Sequence, residues 1–158
     1  MAQEIERKYL LKDDSWRGAV TSSRRMSQGY LTTLSDGAKA SVRVRIGGDQ
    51  AYLNIKSMTL GMTRDEFEYP IPVDDAEHML ANLCAGAAIE KIRHYAQIGE
   101  LLWEIDEFLG ANDGLVVAEV ELDSEDQVFD KPDWVGEEVT HDRRYYNVSL
   151  VQHPFKDW

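Results

Sequence analysis

Near its start the chain reads Glu4-Ile5-Glu6-Arg7-Lys8-Tyr9-Leu10-Leu11, or EIERKYLL. In a β-strand, side chains alternate between the two faces, so that Glu4, Glu6 and Lys8 share one face. The opposite face carries Ile5 and further apolar side chains that can pack on a core. The stretch therefore predicts an amphipathic strand whose polar face is charged.

Several later segments repeat this alternation and gather charges of one sign on one face. Arg43 and Arg45 are separated by one residue, as are Lys91 and Arg93. Carboxylates are paired in the same way at 104 and 106 and at 119 and 121. From these patterns, strands are predicted at about 3–11, 28–33, 40–46, 51–57, 64–71, 89–97, 101–107 and 115–123.

Short turns connect these segments, and helices are few. Turns are predicted at Ser35-Asp36-Gly37, at Gly47-Gly48-Asp49 and at 110–114, where glycine and small polar residues cluster. Helices are predicted at about 13–19, 75–84, 125–129 and 143–151. Many strands joined by short connections favour an α+β fold with a largely antiparallel sheet. Closing that sheet into a barrel would remove its exposed edges.

The charged strand faces have two interpretations. A one-sided sheet could turn them to solvent, where charges pair across strands. Solvated faces usually mix charges with uncharged polar residues, however, and neighbouring charges of one sign repel each other. In a closed barrel the charged faces instead line a polar interior filled by water or a ligand, while the apolar faces pack against helices. We therefore expect a barrel with a charged lumen.

Composition limits the size and the partners of the protein. With 158 residues, of which 43% are hydrophobic, we expect a single domain spanning 1–158. The 17 basic and 29 acidic residues give a net charge of −12, which argues against binding to nucleic acid or an anionic membrane. Cys84 is the only cysteine and we see no secretory leader, which together favour a cytoplasmic location. The sequence leaves the oligomeric state open, with a homodimer as one option.

Opposite charges gathered in one lumen suit the binding of a metal and a polyphosphate. Hard divalent cations such as Mg2+ prefer carboxylate oxygens, water and phosphate oxygens. Arginine binds phosphate by bidentate hydrogen bonds and lysine binds it as a point charge. Phosphoryl transfer needs mainly positioning and charge neutralisation, which such a lumen provides. The acidic candidates are Glu4, Glu6, Asp106, Glu119 and Glu121, and the basic candidates are Lys8, Arg43, Arg45, Lys56, Lys91 and Arg93.

The first five residues of EIERKYLL resemble the ExExK signature of the CYTH superfamily, the triphosphate tunnel metalloenzymes. The resemblance continues in order along almost the whole chain, and the paired bases and the late ExE make it specific. It is carried further by residues 28–31, 42–45, 54–56, 64–68, 90–95, 104–106, 118–121 and 136–140. It implies an eight-stranded antiparallel barrel, with a few helices packed outside, that binds a triphosphate along its axis.

The resemblance also implies roles for individual residues. Those that look like ligands of Mg2+ or Mn2+ are Glu4, Glu6, Asp106, Glu119 and Glu121. Those that look like phosphate ligands are Lys8, Arg43, Arg45, Lys56, Lys91, Arg93 and Arg144, with Arg143 as an alternative to Arg144. Lys8, Glu4, Glu6, Glu119 and Glu121 are implied to be catalytic. Glu66 and Glu68 either hold the basic residues by ion pairs or join the acidic ones.

The compact chain most resembles the bacterial branch of the superfamily that hydrolyses inorganic tripolyphosphate to pyrophosphate and phosphate. Other members are nucleoside or thiamine triphosphatases or class IV adenylyl cyclases, and these activities stay open. A non-catalytic polyphosphate-binding module is a further alternative, although carboxylates add nothing to anion binding unless they hold a metal. The expected partner is a small-molecule triphosphate or polyphosphate.

Overall fold

Nine β-strands and two helices form most of the structure, a computed structural model that describes residues 2–33 and 37–158. The strands are β1 (Gln3–Leu11), β2 (Ser22–Tyr30), β3 (Ala40–Gly47), β4 (Gln50–Ser57), β5 (Thr63–Ile71), β6 (Ala85–Ile98), β7 (Leu101–Phe108), β8 (Val116–Glu121) and β9 (Val135–Glu138). The helices are α1 (Val73–Asn82) and α2 (Asn147–Gln152). Short 3-10 turns occupy Ser15–Ala19, Gly110–Asn112, Arg143–Tyr145 and Phe155–Asp157. Within the described residues, no helix is long and apolar enough to cross a membrane.

Eight of the strands close into an antiparallel barrel in the order β5-β4-β3-β2-β6-β7-β8-β1. The barrel closes where β1 pairs with β5, which places Glu4 opposite Arg64. The ninth strand, β9, pairs with the C-terminal part of β1, where Glu138 lies opposite Tyr9. The structure thus confirms the predicted α+β fold with a closed antiparallel barrel.

Several local details differ from the predictions. β2 begins at Ser22 rather than near residue 28, because its exposed first residues pair with 92–95 of β6. The predicted helix at 125–129 is wrong, since this stretch forms a turn and then irregular chain. β9 was not predicted. In one of the predicted turns, Ser35 and Asp36 lie outside the described residues.

The outer face of the barrel is apolar and is covered by segments outside the strands. Tyr9 and Trp103 are fully buried there and pack against Trp16 of the first 3-10 turn and Trp134 of the segment before β9. Burying side chains of this size supplies much of the hydrophobic stabilisation of a small barrel.

Helix α1 covers a second part of the outer face, over Val44 and Ala51. Its C-terminal end approaches β2 closely at Gly29. A Cβ atom on Gly29 would lie 2.8 Å from the Sγ atom of Cys84, so that a larger residue would push the helix end away.

The C-terminal segment closes one end of the barrel. Val148 and Leu150 of α2 pack on Ile89, Phe108 and Val117. Each of these three strand residues lies two positions from a charged residue of the inner face, so that they share that face. Because α2 covers inward-facing apolar side chains, it lies across one end of the lumen.

Candidate active site

The barrel encloses a cavity in which most of the predicted site residues meet. Its empty volume is about 460 Å3, including the part that is open to solvent. Glu6 and Glu119 line this cavity. All six bases that were predicted on strands also line it, namely Lys8, Arg43, Arg45, Lys56, Lys91 and Arg93.

Asp106 on β7 anchors two of these bases on β6. Its Oδ1 atom accepts a hydrogen bond from Arg93 Nε at 2.8 Å. Its Oδ2 atom accepts from Lys91 Nζ at 2.7 Å and from Arg93 Nη2 at 2.9 Å. Burial opposes ionisation of Asp106, but Arg93 and Lys91 outweigh it and hold the pKa of the carboxyl group below its ordinary value. Both carboxylate oxygens of Asp106 are therefore engaged by cations.

Five of these bases, Arg43, Arg45, Lys56, Lys91 and Arg93, form a basic wall. Carboxylates neutralise the charge of this wall only in part. Burial, with repulsion from Arg43 and Arg93, lowers the pKa of Arg45 to about 9. Arg45 Nε donates to the uncharged Oε1 of Gln28 at 2.9 Å. The buried Nε of Arg43 has no hydrogen-bond partner within the described chain. Unsatisfied donors and mutually repelling cations make this wall suited to a polyanion.

Four carboxylates near the basic wall, those of Glu4, Glu6, Glu119 and Glu121, are called the acidic group. The register of β1 and β8 places Glu6 opposite Glu121. Burial, together with repulsion from Glu119 and Glu4, raises the pKa of Glu6 well above its ordinary value of 4.5. Burial and nearby carboxylates also raise the pKa of Glu121. Glu6 and Glu121 are therefore harder to ionise than ordinary carboxyl groups, and a cation beside them would favour their charged forms.

Lys8 and Glu119 lie between the acidic group and the basic wall. Lys8 Nζ is 3.4 Å from Glu119 Oε1, and Arg93 Nη2 is 3.6 Å from Glu119 Oε2. Although burial opposes ionisation, Lys8 and Arg93 lower the pKa of Glu119 to about 2. An ion that enters the cavity at this boundary lies next to both the acidic group and the basic wall.

Glu66 and Glu68, whose roles the sequence left open, occupy different places. Glu68 Oε2 is 3.7 Å from Arg43 Nη2, against the basic wall. Glu66 Oε2 is 3.5 Å from Lys56 Nζ, and the same ammonium donates to Glu4 Oε1 at 2.9 Å. Glu66 and Glu4 therefore share Lys56, and Glu68 lies beside Arg43.

A model of the CYTH domain matches residues 2–153 of the chain. The chain belongs to the CYTH family. Two relatives are named inorganic triphosphatases. The one from Acetivibrio thermocellus is 44% identical over 158 residues, covering 100% of this chain and 99% of the relative. The one from Nitrosomonas europaea is 39% identical over 153 residues, covering 94% and 96%.

Solved structures agree with membership in the CYTH family. The crystal structure of an inorganic triphosphatase matches with a TM-score of 0.67 at 36% identity, covering 96% of this chain and 95% of that one. A putative adenylyl cyclase from Hippeastrum matches with a TM-score of 0.63 at 16% identity, covering 77% and 80%. At that identity the second match shows the shared fold alone.

The CYTH family in general implies a divalent metal cofactor, and the acidic group fits one chemically. Its donors are carboxylate oxygens, which hard cations prefer, and a bound cation would favour the charged form of Glu6, whose pKa is raised by burial and by the nearby carboxylates. Among residues 2–33 and 37–158, no three His, Cys, Asp or Glu side chains converge as metal ligands. Glu4 and Glu119 are turned toward Lys56 and Lys8 instead. Each of these two carboxylates is thus paired with a lysine in this structure.

Seven residues that the sequence did not assign to the site also line the cavity, among them Arg64, Tyr146 and Asn147. Arg64 of β5 lies over the ring of Tyr146, with 4.9 Å between the guanidinium carbon and the ring centroid. Strand alternation could have found Arg64, because it shares a face with Glu66. Tyr146 and Asn147 reach the cavity only because the C-terminal segment closes the barrel.

Arg144, a predicted phosphate ligand, lies apart from the others. Its exposed guanidinium donates to Asp142 Oδ2 at 2.7 Å and stacks over Trp158. Arg143 lines a neighbouring cavity together with Arg64. A role for Arg144 in phosphate binding stays a prediction.

The lowered pKa of Lys91 predicts proton uptake when an anion binds. Burial lowers this pKa to about 7, so that the amine is largely neutral at pH 8, and a bound polyanion raises it again. At pH 8, without metal, the protein should take up about one more proton per bound triphosphate than Lys91→Arg, since arginine is always charged. Calorimetry in buffers of different ionisation enthalpy measures this difference. Equal uptake by both proteins would mean that Lys91 is already protonated before the anion binds.

Proposed function

We propose that the protein hydrolyses inorganic triphosphate to pyrophosphate and phosphate inside the barrel, with Mg2+ or Mn2+ as its cofactor. One observation carries the proposal: six bases and the carboxylates of Glu6 and Glu119 line one cavity. A metal-bound polyanion is complementary to both surfaces. The relatives named inorganic triphosphatases, at 44% and 39% identity, support this substrate.

The basic wall binds and orients the phosphate chain. Arg43 and Arg45 on β3 direct guanidinium groups toward the lumen, and Lys56 and Lys91 present ammonium groups from β4 and β6. Because β4, β3 and β6 lie within one run of four neighbouring strands, a linear triphosphate would meet these bases along one wall of the cavity. Held in this way, the reacting phosphorus is fixed relative to the acidic group, which is the main requirement of phosphoryl transfer.

The acidic group would hold the metal. The proposed ligands are Glu4, Glu6, Glu119 and Glu121. When bound, a divalent ion supplies Lewis-acid polarisation of phosphate oxygens and a water molecule of lowered pKa. Asp106 is left out of this set, because Lys91 and Arg93 already engage both of its oxygens.

Lys8 is proposed to neutralise charge at the reacting phosphoryl group. Its ammonium lies 3.4 Å from Glu119, at the boundary of the two groups, where metal and phosphate would meet. A fixed cation in this buried place stabilises developing negative charge more strongly than water would.

A comparison of substrates tests the proposal directly. The purified protein is incubated with tripolyphosphate, ATP, thiamine triphosphate and long-chain polyphosphate, each with Mg2+, with Mn2+ or with EDTA. Phosphate release should be fastest from tripolyphosphate and should stop in EDTA. Formation of cyclic AMP from ATP would identify a cyclase instead. Binding of these anions without turnover of any of them would identify a non-catalytic module.

A second candidate substrate, an organic triphosphate, is favoured by one feature. A neighbouring cavity with apolar walls at Met58 and Leu60 shares Arg64 and Tyr146 with the main cavity. The base or the thiamine moiety of such a substrate could occupy it while the phosphates lie in the lumen. Faster phosphate release from ATP or thiamine triphosphate than from tripolyphosphate would favour this candidate.

A cytoplasmic location of the protein stays a prediction.

A further inference from the structure

The short segment Tyr145–Asn147 contacts Lys8 and Lys91 at the closed end of the cavity. The backbone oxygen of Tyr145 accepts a hydrogen bond from Lys8 Nζ at 3.2 Å. The side-chain Oδ1 of Asn147 accepts from Lys91 Nζ at 3.1 Å. The segment that closes the barrel therefore also touches its cations.

Asn147 reaches a third cation through Gln28. The same Oδ1 atom accepts from Gln28 Nε2 at 2.9 Å, and Gln28 Oε1 accepts from Arg45 Nε at 2.9 Å. Gln28 is fully buried, so that its amide must find partners within the protein. Because Asn147 offers an acceptor, the nitrogen of Gln28 turns toward α2 and its oxygen turns toward Arg45. This arrangement fixes one side of the guanidinium and leaves its other nitrogens for the cavity.

The acceptors in this chain of hydrogen bonds are uncharged. An ammonium group has three donors, and Lys91 uses one on Asp106 and one on Asn147, which leaves one for a bound anion. A carboxylate in place of Asn147 could accept the same two hydrogen bonds, but its charge would neutralise Lys91. An amide holds the cations in place and preserves their attraction for an anion.

We propose that Asn147 is a positioning residue that orients Lys91 and, through Gln28, Arg45 toward the bound phosphate chain without neutralising them. This inference rests on the proposed function, because it assumes that the cavity binds a triphosphate. Asn147 itself acts through these cations, and it links the closing helix α2 to the binding of the anion.

At pH 6, where Lys91 is largely protonated, the test measures anion binding without metal and catalysis with metal. Asn147→Ala removes the acceptor without adding bulk. It should weaken binding of tripolyphosphate in EDTA by about 10- to 100-fold, the usual effect of losing a hydrogen bond to a charged group. KM should rise by a similar factor while kcat changes little, since these cations hold the substrate in ground and transition states alike. Gln152→Ala, an exposed amide on the same helix, is the matched control and should bind as the wild type does.

Asn147→Asp separates positioning from a merely structural role. It keeps an acceptor for both hydrogen bonds and should retain the melting temperature of the wild type. Its added charge should nevertheless weaken binding of tripolyphosphate, because it neutralises Lys91. Wild-type affinity in either Asn147→Asp or Asn147→Ala would overturn the inference.

A double-mutant cycle tests the link to Arg45. If Asn147 acts partly through Gln28, the effects of Asn147→Ala and Gln28→Leu on anion affinity should be less than additive. Full additivity would overturn the relay through Gln28. All of these binding measurements need no turnover, so that a wild type that binds triphosphate without hydrolysing it would contradict the proposed function alone.

Discussion

Glu6→Gln is expected to lower kcat for metal-dependent triphosphate hydrolysis by about 10³-fold or more while the barrel stays folded. Glu6 lines the cavity and lies opposite Glu121 in the register of β1 and β8. An amide is a poorer ligand for a hard divalent cation than a carboxylate. Loss of this single charge should therefore weaken the proposed metal site more than it disturbs the protein around it.

The same substitution should increase thermal stability at neutral pH. In the metal-free protein, burial and the charges of Glu119 and Glu4 raise the pKa of Glu6 well above its ordinary value of 4.5. A group with a raised pKa contributes stability that is present below pH 4.5 and is lost as the pH rises through its folded-state pKa. The wild type should thus lose this contribution as the pH rises above 4.5. Glu6→Gln, which carries no charge, should not.

Phosphate release with Mg2+ or Mn2+, and melting curves in EDTA across this pH range, check both expectations. Glu100→Gln, in the exposed turn between β6 and β7, is the matched control and should change neither quantity. More than about a tenth of wild-type activity in Glu6→Gln would remove this residue from the proposed metal site. A lower melting temperature at neutral pH would mean that Glu6 stabilises the fold.

The inner face of the barrel was predictable because its charges follow the two-residue period of a strand. The hairpin between β6 and β7 shows how much further such reasoning extends. Its two-residue turn at Gly99 and Glu100 places Ile98 opposite Leu101, which brings Arg93 opposite Asp106. Turn position alone could have identified this ion pair, in which Arg93 engages both oxygens of Asp106.

Other features depend on contacts that no local pattern encodes. The first residues of β2 are exposed and polar, and they form a strand only because β6 is long enough to pair with them. β9 has only four residues and is held by the C-terminal part of β1. Asn147 is an ordinary polar residue in the sequence, and its contact with Lys91 spans 56 positions of the chain. Such residues acquire a role only through tertiary structure.

Asp106→Asn is expected to destabilise the protein by about 3 to 5 kcal/mol, the usual cost of removing one partner from a buried ion pair. Asp106 is 1% exposed, and it faces both Lys91 and Arg93. An asparagine can still accept hydrogen bonds, but it leaves two buried cations without their shared counter-ion. Urea denaturation of the metal-free protein measures the loss. Asp133→Asn, at an exposed position, is the matched control and should unfold as the wild type does.

Tripolyphosphate should restore part of the stability that Asp106→Asn loses, even in EDTA. The anion would supply negative charge to Lys91 and Arg93, and a ligand that binds only the folded state stabilises it by mass action. A metal ligand would behave differently, because its loss would leave the metal-free protein as stable as before and would weaken only metal binding. Unchanged stability together with a large loss of metal affinity would therefore return Asp106 to the metal site. A large loss of stability with partial rescue by the anion would establish that Asp106 organises the basic wall.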